Sequence, residues 1–124
     1  MQEHDIVVTV RTEYLSEQSV PDDDRYVFAY HITMTNCGTR AAKLLSRHWI
    51  ITNGDERTQE VKGAGVIGEY PNLESGESYD YSSGTVIDTV VGTMHGSYRF
   101  LSEDGIEFDA PIPPFTLAVP NKVH

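Results

Sequence analysis

The stretch Val61-Lys62-Gly63-Ala64-Gly65-Val66-Ile67-Gly68-Glu69-Tyr70-Pro71 decides between two folds, because it writes a GxGxxG pattern into a chain whose remaining texture is that of strands. A dinucleotide site needs a strand before the glycines and a helix after them, whose positive end holds the pyrophosphate. The helix is missing from the pattern. Glu69 sets a negative charge where the phosphate should sit, Pro71 follows, and Asn72 to Tyr81 carry Gly76 and serines in place of a 3.6-residue apolar stripe. The glycines are therefore predicted to build a tight loop between strands, at positions where positive φ or close backbone approach excludes a side chain. One ligand reading survives, since consecutive backbone N–H groups can form an anion-binding nest without a helix. Gly63, Gly65 and Gly68 would then supply the nest, and Arg47 and Lys62 the cations if their strands stack beside it.

Working outward, Tyr26, Phe28, Tyr30, Ile32 and Met34 alternate with Thr33 and Thr35 in the cleanest period-two series of the chain, which predicts a central strand. Ile6, Val8 and Val10 predict a first strand in the same way. Between them, Ser16 to Asp24 holds Pro21 and three consecutive aspartates, a solvated loop. Asn36 to Arg40 forms a turn, and Leu44, Leu45, Trp49, Ile50 and Ile51 supply apolar groups to both faces of the next strand, with Trp49 toward the core. Asn53-Gly54 closes a hairpin, and a short strand from Thr58 to Lys62 leads into the glycine loop. Tyr79 and Tyr81 share an inner face. Met94, Tyr98 and Phe100 line a strand in which Gly96 permits close packing or a bulge. After the turn at Glu103-Asp104-Gly105, Ile106 and Phe108 begin a last, edge strand; Pro111, Pro113 and Pro114 interrupt its pairing before Phe115, Leu117 and Val119 resume it. About seven short strands with no helical stripe predict an all-β, two-sheet sandwich. Tyr26, Phe28, Tyr30, Ile32, Trp49, Tyr79, Tyr98 and Phe100 are expected in one core.

The chain has 124 residues, the size of one domain that can bury a core without disulfides or metal. Nine basic against nineteen acidic residues give a formal charge of −10, which opposes binding to nucleic acid or anionic membranes. No apolar run approaches the roughly 20 residues of a membrane span. Met1 to Asp5 are too polar to open a secretory signal, so a cytoplasmic location is expected. Cys37 is the single cysteine, which rules out an intrachain disulfide and a multi-cysteine zinc site.

The glycine loop stands in an ordered series with Phe28-Ala29-Tyr30-His31-Ile32, Leu44 to Thr52, Gly84 to Thr89, Gly92 to Tyr98 and Ile112-Pro113-Pro114-Phe115-Thr116-Leu117. Together these phrases resemble the ApaG family, from about Ile6 to Val119, so that residues 1–124 read as a single ApaG-type domain. The resemblance implies an immunoglobulin-like or fibronectin type III-like β-sandwich. It also implies a link to cobalt and magnesium tolerance, and, from family domains carried inside larger eukaryotic proteins, a partner-binding role.

The residues themselves offer little chemistry. His4, His31, His48, His95 and His124 are scattered with no His-x-His pair, and Asp22 to Asp24 lack the alternation and glycine of a calcium loop, so no metal and no cofactor are expected. No Gly-x-Ser-x-Gly elbow occurs and Cys37 has no evident base, so no enzyme is expected; Glu69, Glu74 and Glu77 would need tertiary approach to pair. The expectation is a non-catalytic module that binds a protein partner, which includes a second copy of itself, with Glu69 and Tyr70 as candidate contacts beside Arg47. The alternative is a binder of pyrophosphate or nucleotide-like anions through the glycine loop.

Overall fold

The computed structural model describes residues 2–120, so Met1 and His124, both used in reading the sequence, lie outside the described residues. Its strands are β1 (Ile6–Tyr14), β2 (Tyr26–Asn36), β3 (Ala42–Asn53), β4 (Thr58–Ala64), β5 (Asn72–Leu73), β6 (Ser78–Ile87), β7 (Val91–Ser102) and β8 (Glu107–Ala118). One antiparallel sheet has the order β1-β2-β6 and the other β4-β3-β7-β8, with β5 also paired to β3. The all-β sandwich is as expected. An eighth strand arises because the two-residue β5 resumes pairing with β3 where β4 has left it. The Ser16 to Asp24 loop is largely exposed and contains one 3-10 turn at Pro21–Asp23. No helix among the described residues is long and apolar enough to cross a membrane.

The period-two series of β2 meets the opposite sheet face to face, as alternation requires. Phe28, Ile32 and Met34 from one sheet and Leu44, Trp49, Tyr98 and Phe100 from the other are almost fully buried in a single cluster. Tyr26 and Tyr30 join it, and Tyr79 packs at its margin. Burying each such side chain contributes about 1.5–3 kcal/mol relative to exposure.

Two bulges decide which residues face inward. Strict alternation back from Trp49 would bring Lys43 to the core and send Leu44 to solvent. A register shift between Leu44 and Ser46 prevents this, with Leu45 as the extra residue. Leu44 is thereby fully buried and Lys43 exposed, while Arg47, beyond the bulge, keeps the face of Trp49 and Ile51 by simple alternation. In β8, Gly96 pairs with Ile112 and Met94 with Phe115, so that Pro113 and Pro114 together stand opposite His95. The prolines interrupt pairing as the sequence suggests, but inside one continuous strand. Proline is tolerated there because β8 is a sheet edge, where a missing N–H removes no bond on the outer side. The shift of parity lets Ile112 and Leu117 both enter the core. Gly96 lies opposite Trp49, and a Cβ on it would strike the carbonyl of His48.

Candidate functional site

Along one flank of the sandwich β1 packs against β8, whereas no comparable packing joins β4 to β6 on the other. The side chains on the inner faces explain the gap. In β6, Tyr79 and Tyr81 reach across the inter-sheet space, but Ser83 and Thr85, next on the same face, are too short to do so. In β4 the inner positions are Gln59, Val61 and Gly63, opposite Ile51, Trp49 and Arg47 of β3. A groove of about 370 Å³ remains, with Ser83 and Thr85 on one wall, Gln59 and Val61 on the other, and Trp49 and Arg47 among its lining residues. Among the described residues β6 pairs only with β2, and β4 only with β3. Each wall of the groove is thus the edge of a sheet, with a row of backbone donors and acceptors that no strand covers.

Two polar groups of the groove lack the partners their burial calls for. Trp49 is 2% exposed, yet its indole N–H has no hydrogen-bond acceptor among the described residues. Buried N–H groups are nearly always paired, and an orphan costs free energy. Arg47 is half-buried and has no carboxylate within ion-pair distance among the described residues. Its Nη1 donates to the carbonyls of Ala64 at 3.0 Å and Gly65 at 2.9 Å. A guanidinium has five N–H groups, so those on Nη2 and Nε remain after these two bonds. Deeper in, the hydroxyls of Tyr81 and Tyr98 bond one another across the sheets. Burial pushes the pKa of both phenols well above the ordinary tyrosine value, and the Arg47 charge acts on both in the opposite sense.

The glycine loop is an excursion from the edge of β3 and holds its own donors. Gly65 N–H bonds to Leu45 O at 2.9 Å, Val66 N–H to Glu69 O at 2.9 Å, and Glu69 N–H to Val66 O at 2.8 Å. The last two close a two-residue turn with positive φ at both Ile67 (44°) and Gly68 (79°), the geometry of a type I′ hairpin. Val66 anchors the turn in the core with no exposed surface, while Ile67 is 60% exposed. Gly65 also needs its hydrogen, since at φ 61° a Cβ would lie 2.5 Å from the Glu69 carbonyl. Gly63 belongs to β4 without positive φ, and the Arg47 guanidinium lies against it, 2.6 Å from where a Cβ would stand.

Of the residues singled out from sequence, Arg47, Gly63 and Gly65 are brought into contact. Lys62 is not, for its ammonium lies 3.5 Å from Glu60, which also meets His48 at 3.3 Å. His48 and then Lys62 hold the Glu60 carboxyl below its ordinary pKa. Glu69 and Tyr70 are exposed beside the turn. Among the described residues, only the N–H groups of Ile67 and Gly68, next to Glu69, remain in this turn for an anion. Ser83, Thr85, Gln59 and the indole of Trp49 were missed. Their signal is small or polar residues at inward positions of strands whose other inward residues are aromatic or aliphatic.

Two further clusters depend on tertiary approach. On the outer face of the first sheet, His31 Nδ1 lies 2.6 Å from Ser82 Oγ, and His31 Nε2 lies 3.4 Å from Glu13. This places a base beside a hydroxyl, which the sequence did not reveal. Backbone N–H groups of the sheet lie in its plane and none is aimed above the face, and Arg11 lines the same surface as His31 and Ser82. Near the chain start, Glu3, His4 and Asp104 offer ligand atoms within 4.8 Å of one another. Arg40 already supplies a cation there, 3.5 Å from both Glu3 and Asp104.

The model of the ApaG domain family matches residues 16–102. Protein ApaG of Pseudomonas putida F1 is 58% identical over 121 residues, covering 98% of this chain and 96% of its own. Protein ApaG of Thiobacillus denitrificans is likewise 58% identical, with 98% and 95% covered. Among solved structures, an ApaA protein from Bordetella pertussis superposes with a TM-score of 0.94 at 47% identity, covering 98% of each chain.

Proposed function

This chain belongs to the ApaG family, and from that premise we propose that it is a non-catalytic module that holds a partner protein in the groove between β4 and β6. The observation that carries the reading is the pair of uncovered strand edges facing each other across a lined groove. Edges of this kind take up an extended segment through main-chain hydrogen bonds, and side-chain pockets between them supply selectivity. Nothing in such a task requires a nucleophile or a metal. The glycine loop has an architectural part in this scheme. Its donors close the turn, and its carbonyls fix the Arg47 guanidinium at the groove.

The test is capture from cell extract with the purified protein and with Ser83→Trp, which fills the groove from the edge strand. Thr85→Trp serves if the first variant unfolds. Proteins retained by wild type and lost from the folded, filled variant support the reading. Retention of the same proteins by both contradicts it. No turnover of dinucleoside polyphosphates by the purified protein is expected; release of nucleotide that depends on one carboxylate would overturn the non-catalytic reading.

A further inference from the structure

The groove is selective in chemistry as well as in shape. Resting on the reading of β4 and β6 as docking edges, we propose that the occupant is an extended segment of a partner protein that places an aspartate or glutamate carboxylate at Arg47. Arg47 is the charged residue among those lining the groove, and no carboxylate of the described chain neutralises it. Trp49, which also lines the groove, packs its indole against Tyr30, Tyr98 and Phe115. An unmet cationic donor calls for an acceptor that is anionic, and a carboxylate matches a guanidinium geometrically.

The same features argue for a peptide over a small anion. The walls are strand edges, so their recognition groups are spaced for another backbone. Ser83 to Val86 along β6 are four consecutive residues, three rises of about 3.3 Å or about 10 Å, beside which an extended run of about four residues fits. A second copy of this chain is disfavoured by charge, since each carries a formal −10 and like charges repel as two copies approach.

Trp49 is the single tryptophan and lines the groove from the core, so its indole N–H gives one NMR cross-peak beside the proposed site. The probes are the blocked peptide acetyl-Thr-Val-Glu-Val-Thr-amide and its counterpart with Gln in place of Glu, titrated into the full chain. The expected result is a saturable shift of the indole peak, with the Glu peptide bound at least tenfold more tightly than the Gln peptide. That preference should vanish in Arg47→Gln and persist, reduced, in Arg47→Lys. The comparison of the two peptides on wild type needs no variant and stands if Arg47→Gln unfolds. Equal binding of both peptides overturns the carboxylate inference and leaves the docking groove intact. Failure of both to move the indole peak at millimolar concentration overturns the groove as well. Equal displacement of the peak by sodium acetate at the same carboxylate concentration would show that the site takes a free anion and overturns the peptide inference.

Discussion

Along the flank where β1 meets β8, the inward residues are Ile6 and Val8 facing Ala110 and Ile112, all buried, and His4 lies against Phe108 with ring centroids 5.2 Å apart. Along the flank where β4 and β6 stand apart, the inward residues are Ser83 and Thr85 facing Gln59 and Val61. Both flanks obey the same alternation and both end in sheet edges. They differ in the volume and polarity that the inward positions supply. Closure of a sandwich is therefore a local property of its edge strands, and a chain can leave one side open while its core stays packed.

Substitutions on the two flanks should separate most in stability. Ile112→Ala on the closed side removes a buried side chain and should cost about 2–5 kcal/mol by denaturant unfolding. Ser83→Ala on the open side should stay within about 0.5 kcal/mol of wild type. Equal losses would mean that the groove is packed in solution.

The buried Tyr81–Tyr98 pair, which joins the two sheets through its hydroxyls, sharpens the boundary between packed and open regions. Tyr81→Phe leaves the Tyr98 hydroxyl buried without its partner and should cost about 1–3 kcal/mol, while the double replacement by Phe should be close to neutral. In the unfolded chain the phenols lose their protons near pH 10, whereas burial holds the protons on in the folded chain to higher pH. The unfolded state then binds fewer protons, and stability falls as pH rises from about 10. Denaturation midpoints measured across that range should slope less steeply for the double variant than for wild type.

Smaller effects belong to the turn that holds Arg47. Gly65→Ala meets both a positive φ and a carbonyl and should lower the melting temperature by more than Gly68→Ala, which meets positive φ with open space, at about 1 kcal/mol. Ile67→Asn relieves a β-branched residue at φ 44° and should stabilise by about 1 kcal/mol without loss of core contact. The smallest effect concerns Ser82→Ala, which should leave hydrolysis of p-nitrophenyl acetate at the rate of wild type. A rate lowered tenfold would restore the outer-face Ser–His–carboxylate line as a catalytic group.

Most strands and the sandwich are legible in the sequence because alternation in β2, β6 and the second half of β7 runs unbroken. What alternation alone does not convey is parity across a bulge. Leu44 and Leu45 together with Trp49 read as apolar on both faces, so the burial of Leu44 and the exposure of Lys43 become visible only with the register shift at Leu45, whereas alternation from Trp49 already puts Arg47 on the inner side. The glycine loop is legible as a turn by the failure of the helix after it. That Ile67 occupies a left-handed position, and that Gly63 lies within a strand under a guanidinium, depend on pairing with β3. The Ser82–His31–Glu13 line joins three strands and has no local signature.

The most direct measurement of the central claim is amide hydrogen exchange on the full chain with and without the blocked Glu peptide. An open, docking flank predicts that outward amides of β4 and β6 exchange rapidly in the free protein and gain protection on addition of peptide, while those of β1 and β8 are unchanged. Protection appearing instead on β1 and β8 or confined to the Gly65 to Tyr70 turn, or none at peptide concentrations that saturate the Trp49 signal, would contradict it.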